Sequence, residues 1–126
     1  MSQNLIIKKC EKCGAMVQVL KDCTCGNCGI KCCGDEMKVL VPNSVDASVE
    51  KHVPKYKIED GKIFVIVNHP MEEDHYIEWI SFVFEGKIVT KFFKAGENAV
   101  THCKYVPGST IYSYCNKHGL WKIDVE

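Results

Sequence analysis

Nine cysteines and five histidines are the metal-capable soft and borderline donors of this 126-residue chain. Seven cysteines crowd the first third: Cys10, Cys13, Cys23, Cys25, Cys28, Cys32 and Cys33. The stretch "CEKCG" (10–14) is a metal knuckle by its chemistry. Two thiolates separated by two residues can reach one ion, backbone amides of the turn can hydrogen-bond the sulfurs, and the glycine relieves backbone strain. A tetrahedral site needs two further thiolates, and two pairs are on offer. Cys25 and Cys28 in "CGNCG" would make a second knuckle; Cys32 and Cys33 in "KCCGDEM" are adjacent. A single peptide unit between neighbouring cysteines opens the S–metal–S angle, so the residues alone favour the two knuckles. Zinc in such a cage is a structural staple, whereas iron cycles between ferrous and ferric and passes single electrons.

A second set of donors lies in the remainder of the chain. It comprises His52 in "EKHVP", His69 in "NHPMEE", His75 in "EEDHYIEW", His102 in "THCKY", His118 in "CNKHG", and Cys115 in "YCNKHGLW". His52 is followed by Val-Pro and His69 by Pro, which places both in extended or turn backbone. Alternation along "TIYSYC" puts Ile111, Ser113 and Cys115 on one strand face, with His118 in the turn that follows. Strand ends and loops are where a β-sandwich usually builds a site. If His52, His69, His75, His118 and Cys115 converge, four neutral imidazoles and a thiolate give five ligands. Five is too many for a closed tetrahedral zinc site, but it suits a square pyramid around ferrous iron with one position left for a small oxygen species.

The elements that would position these donors fall into two parts. Residues 1–40 hold the seven clustered cysteines and no aromatic residue. So short a segment cannot bury enough apolar surface alone and is expected to depend on metal. "VPNSVDASV" (41–49) reads as a linker. From residue 52 the pattern is β. "KYKIEDGKIFVIV" sets Asp60-Gly61 between two apolar runs, a strong hairpin signal. Further strand pairs are expected around Glu85-Gly86-Lys87 and around Pro107-Gly108, and "GLWKIDVE" supplies a last strand. No helix of three turns is expected. Six or seven short strands at this spacing suggest an antiparallel sandwich.

Composition excludes several functions. The charged residues comprise 16 lysines against 16 acids, with no arginine and zero formal net charge. Bidentate recognition of phosphate or guanine relies on the guanidinium fork, so nucleic acid is not an expected partner. No apolar run reaches membrane-span length, and "MSQNLIIKKC" lacks the core of a signal peptide, so a cytoplasmic protein is expected. In that compartment thiols stay reduced, which favours metal over disulfides for the cysteine cluster.

The stretches "CEKCG", "CCGDEM", "VDASVEKHVP", "HPMEEDHYIEW" and "YCNKHGLWK", in that order, make the chain resemble desulfoferrodoxin, the two-iron form of superoxide reductase, along nearly its whole length. The resemblance implies a mostly β protein: a small desulforedoxin-like domain over 1–40, then an immunoglobulin-like antiparallel sandwich over 41–126. It further implies His52, His69, His75 and His118 as equatorial ligands of a catalytic iron, with Cys115 as axial thiolate. A first iron would be held by Cys10, Cys13, Cys32 and Cys33, against the residues' own preference for Cys25 and Cys28. Cys23, Cys25 and Cys28 are additions to the pattern between the two ligand pairs. Cys103 and His102 are read as non-ligands.

The activity so implied is one-electron reduction of superoxide to hydrogen peroxide, with no release of dioxygen. Lys51 would guide the anion, since a molecule of zero net charge needs a local positive potential to do so. Glu50 would serve the resting ferric state. An external donor such as rubredoxin and a homodimer are also implied. Two rival readings remain. A small rubredoxin-like electron carrier with a structural second metal would need no open coordination position. A zinc-ribbon adaptor would leave the five donors beyond residue 50 without a use.

Overall fold

The computed structural model describes residues 5–25, 29–45 and 49–126, with Val49 and Glu50 described in backbone only. Two compact units emerge, one spanning Leu5–Val41 and the other containing Pro42–Glu126. The smaller is built from five very short strands: β1 (Ile7–Lys9), β2 (Met16–Gln18), β3 (Lys31–Cys32), β4 (Asp35–Glu36) and β5 (Lys38–Val39). β2, β1 and β5 form an antiparallel sheet in that order, and β3 and β4 make a separate hairpin. Among its described residues only Leu5, Ile7, Cys10 and Met37 are buried apolar side chains, while Leu20, Ile30, Val39 and Val41 stay exposed. Four buried residues are a meagre core, in keeping with a unit that needs a metal to hold it.

The larger unit opens with the helical turn α1 (Val49–His52), stopped by Pro54, since a residue before proline avoids helical backbone. Seven strands follow: β6 (Lys55–Glu59), β7 (Lys62–Ile66), β8 (Ile77–Phe84), β9 (Lys87–Phe92), β10 (Val100–Lys104), β11 (Thr110–Cys115) and β12 (Gly119–Asp124). They form a three-stranded sheet, β10-β7-β6, and a four-stranded sheet, β12-β11-β8-β9, with antiparallel pairing throughout. The fold class is the mostly β, immunoglobulin-like sandwich expected. The β6–β7 turn has Asp60 at φ 52° and Gly61 at φ 75°. Two consecutive left-handed residues are what a tight hairpin matched to strand twist requires.

Sequence alternation and burial agree along β7, where Ile63 and Val65 face inward and Lys62, Phe64 and Ile66 face out. With Val67 they pack against Ile77, Ile80, Phe82, Ile111 and Cys115 from the other sheet. One expectation fails: the strands flanking Pro107-Gly108 do not pair with each other. β10 pairs with β7, whereas β11 lies between β8 and β12. The cause is burial. Every residue of β11 is buried, so it demands neighbours on both edges, while the half-exposed β10 suits the edge of the smaller sheet.

The segment read as a linker is partly tied down. Asn43, at φ 59°, donates its backbone N–H to the Leu120 carbonyl at 2.9 Å. Its side-chain oxygen accepts from Lys122 N at 2.8 Å, and its Nδ2 donates to the Lys122 carbonyl at 3.3 Å. Asn43 thus lies along the outer edge of β12. Residues 46–48 of the same segment lie outside the described residues.

Candidate metal centres

Three short elements of the larger unit deliver the five donors. His52 ends α1 and is buried. His69 and His75 stand in the loop between β7 and β8. There, Glu72 and His75 exchange backbone hydrogen bonds of 3.0 and 3.2 Å around a two-residue turn, which fixes the approach of His75. Cys115 ends β11, at a bulge where the register with β8 slips between Tyr114 and Cys115. Bulges re-aim side chains and often sit beside functional sites. His118 occupies the β11–β12 turn, which closes at Gly119 with φ 82°. A Cβ at Gly119 would come within 3.2 Å of Val45 Cγ2, so backbone and space both call for glycine there.

The imidazoles form a closed quadrilateral. Ring centroids are 4.8 Å apart for His52–His69, 4.6 Å for His69–His75, 5.0 Å for His75–His118 and 4.9 Å for His118–His52. Neighbouring planes cross at 66°, 90°, 72° and 85°, so each ring presents its edge toward the next. Cys115 Sγ is 3.3 Å from His69 Nε2 and 3.8 Å from His118 Nδ1. Those two rings are at opposite corners, so the sulfur lies over the figure and not along a side.

The donor set fits a cation. His118 Nδ1 is approached by His52 Nε2 at 3.1 Å and by His75 Nε2 at 3.3 Å. A single ring nitrogen cannot satisfy so many neighbours by sharing one proton, but an ion among them would satisfy all. Two metal–nitrogen bonds of roughly 2.1 Å at right angles separate their nitrogens by about 3 Å, which is the spacing seen here. All five donor atoms lie within 4.8 Å of one another. His69 is oriented for this role: its Nδ1–H donates to the Pro70 carbonyl at 2.6 Å, leaving the Nε2 lone pair toward Cys115. Burial lowers the His69 pKa from 6.5 to about 4, assisted by the charges on its three imidazole neighbours and opposed by the Pro70 hydrogen bond. His69 therefore stays neutral and able to ligate at neutral pH.

Several residues that frame the site belong to neither group of clustered donors and were given no role by the sequence. Asn116 joins the two loops: its Oδ1 accepts from Tyr76 N at 3.0 Å and its Nδ2 donates to the Asp74 carbonyl at 3.1 Å. Ser113 and Trp121 contact His52 and His118. Their presence in "YSYCN" and "HGLWK" gave no hint of role, because contacts to backbone and ring faces leave no spacing signature. Lys51 is exposed on α1 next to His52. Glu50 shares that turn, but its side chain lies outside the described structure. His102, beside the Phe64 ring at 5.6 Å, and the half-buried Cys103 lie on β10 and belong to neither donor group.

In the smaller unit the four clustered donors are Cys10, Cys13, Cys32 and Cys33, all within 4.8 Å. Cys13 Sγ lies 3.6 Å from Cys32 Sγ, which is 3.9 Å from Cys33 Sγ. Four thiolates at roughly 2.3 Å from one ion stand about 3.8 Å apart. The adjacent pair reaches one point because Cys33 takes φ 54°, a left-handed turn that offsets the angular strain expected of neighbouring cysteines. Cys25 is exposed and outside the cluster, and Cys28 lies outside the described residues. Cys23 is disulfide-bonded, an exception to the reduced cysteines expected from sequence.

The backbone N–H of Cys13 is the main cause of a Cys10 pKa near 7, against the usual 9. Hydrogen bonding with Cys13, then Cys10 and Cys33, pushes Cys32 up to about 12, and Cys33 is raised mainly by Cys13. Without a cation the cluster thus loses its first proton easily and resists losing more; a bound cation would reverse that resistance.

A family model described as Desulfoferrodoxin matches residues 44–124. A curated relative named desulfoferrodoxin, from Syntrophotalea carbinolica, is 40% identical over 126 residues, covering 96% of this chain and 97% of its own length. Among solved structures, the superoxide reductase of Treponema pallidum has a TM-score of 0.72 at 21% identity, covering 96% of this chain and 99% of its own. The superoxide reductase (1Fe-SOR) of Giardia intestinalis has a TM-score of 0.54 at 26% identity, covering 61% of this chain and 98% of its own.

Proposed function

The chain belongs to the desulfoferrodoxin family, and we propose from that premise that it is a superoxide reductase whose catalytic iron is held by His52, His69, His75, His118 and Cys115. The observation that carries the assignment is the four-imidazole quadrilateral with a thiolate over it. Five donors of this kind leave one of six octahedral positions open, which an oxygen species needs and a pure electron carrier does not. The cofactors are two iron ions, the other held by Cys10, Cys13, Cys32 and Cys33.

Iron bound among the five donors would supply one electron to superoxide, which with two protons yields hydrogen peroxide and no dioxygen. The chain's own residues set the conditions for that transfer. His69 remains unprotonated through burial, and its tautomer is fixed by the Pro70 carbonyl. Cys115 is fully buried, and thiolate ligation of this type pushes electron density toward the metal. Lys51 gives the neighbourhood of His52 a positive charge that draws in the anionic substrate. Glu50, on the same turn, is the carboxylate that serves the resting oxidised state. An external one-electron donor such as rubredoxin completes the cycle.

In this reading residues 1–40 hold the electron-transfer iron and residues 41–126 the catalytic one. The protein is cytoplasmic and a homodimer in this reading. Phe64, Ile66 and Val100, half-exposed on the outer face of the three-stranded sheet, support the second point as a surface for another copy. Among the described residues no helix is long and apolar enough to cross a membrane.

Metal content and an optical spectrum before and after a stoichiometric oxidant test the assignment. Two irons per chain and a new thiolate-to-ferric band that azide displaces are expected. One metal per chain, or a band indifferent to anions, would remove the open site and with it the activity.

A further inference from the structure

His52 is held differently from the other three imidazoles. It ends a four-residue helical turn instead of standing in a loop between two strands. What holds it is a cross-strand pair, Ser113 on β11 opposite Trp121 on β12. Ser113 Oγ donates to the His52 carbonyl at 2.7 Å in a buried hydrogen bond. The Trp121 indole, 1% exposed, stacks on the His52 ring with centroids 5.0 Å apart and planes 23° from parallel. The same indole donates its Nε1–H to the His118 carbonyl at 2.9 Å. One side chain therefore fixes the ring plane of one corner of the quadrilateral and the backbone of the adjacent corner.

We infer that Trp121, with Ser113 beneath it, is a positioning residue that holds His52 and His118 at their mutual angle and so sets the affinity and electronic properties of the catalytic metal. The inference rests on reading those two histidines as ligands. Physically, stacking removes the freedom of the His52 ring to rotate about its side-chain bonds, so its Nε2 lone pair stays aimed at the centre of the square. The indole N–H keeps the turn carrying His118 from drifting while its ring nitrogen binds. Outer partners of this kind commonly govern metal affinity by 10–100-fold. Because Lys51 and Glu50 lie on the same turn as His52, the clamp also fixes the end of the segment that carries them.

The test is cobalt(II) titration of the metal-free full-length chain, comparing wild type with Trp121→Phe, Trp121→Leu and Ser113→Ala. Cobalt alone is the probe, so the readout does not depend on turnover, and the all-sulfur site is distinguished by its spectrum. Two cobalt ions should bind the wild type, the second with ligand-field and thiolate charge-transfer bands of a mixed nitrogen–sulfur site. Trp121→Phe keeps a stacking ring but no donor; it should weaken that second ion by about tenfold and move its bands. Trp121→Leu should weaken it further, toward 100-fold, and Ser113→Ala should also weaken it. If Trp121→Phe and Ser113→Ala bind the second cobalt with wild-type affinity and spectrum, the positioning role is wrong. It is equally wrong if Trp121→Phe only lowers the melting temperature of the metal-free protein while the bands stay in place. A wild type that takes up only one cobalt would instead overturn the ligand assignment itself, an outcome separate from either.

Discussion

Burial and three neighbouring imidazoles lower the His69 pKa from 6.5 to about 4, while the hydrogen bond to Pro70 opposes them. Between those two values the unfolded chain takes up a proton that the folded chain declines. The contribution of His69 to stability is thus fully present above about pH 6.5 and is lost as pH falls through 4. In the metal-free protein the urea midpoint should therefore drop between pH 7 and pH 4.5, and His69→Gln should flatten that slope. A second residue-scale prediction concerns Lys51. Its replacement by Ala should lower the second-order rate constant for superoxide about tenfold at low ionic strength and reduce the salt dependence of what remains. Pulse radiolysis across a salt series measures both; an unchanged rate would move the steering charge elsewhere. At this scale sequence was most informative where a residue acts through its own donor atom. His52, His69, His75, His118 and Cys115 are visible as residue types with a family spacing. Trp121, Ser113 and Asn116 act through stacking and backbone contacts, and nothing in their spacing reveals it.

The short elements around the site depend on backbone conformation more than on propensity. Gly119 closes the turn carrying His118 with φ 82°, and a methyl group there would press on Val45. Gly119→Ala should cost about 1–2 kcal/mol in urea unfolding from the left-handed backbone alone. The same change should weaken metal binding, since the turn that moves is the one holding His118. The Asp60-Gly61 hairpin was legible because two positive φ angles have a compositional signature. Cys33 was not, because a cysteine at φ 54° has none, and that conformation is what brings the adjacent pair into the four-cysteine cluster. The pairing of β10 and β11 failed for a different reason. A turn at Pro107-Gly108 is equally compatible with a hairpin and with passage between sheets, and only the burial of both faces of β11 decides it.

At the scale of the whole molecule, two groups of metal-capable donors occupy two separately compact parts of one chain with zero formal net charge. Cys13→Ser should remove one iron per chain and the spectrum of the all-sulfur centre, yet leave the azide-sensitive band of the other unchanged. Metal analysis and the oxidised spectrum of that variant check both points, and loss of both centres together would contradict independent assembly. Six or seven strands beyond position 52, with the hairpins at Asp60-Gly61 and Glu85-Gly86-Lys87, were readable from the alternation of apolar residues and the turn residues, but the fastening of the connecting segment was not. Asn43 runs along β12 with three hydrogen bonds that a polar stretch of sequence does not advertise. β12 is the last strand of its sheet, and unpaired strand edges invite pairing with foreign chains. By covering part of that edge, Asn43 makes the sandwich its own gatekeeper against aggregation. A cut or fusion joint placed at Val41–Pro42 would keep this protection, whereas one placed two residues later would discard it.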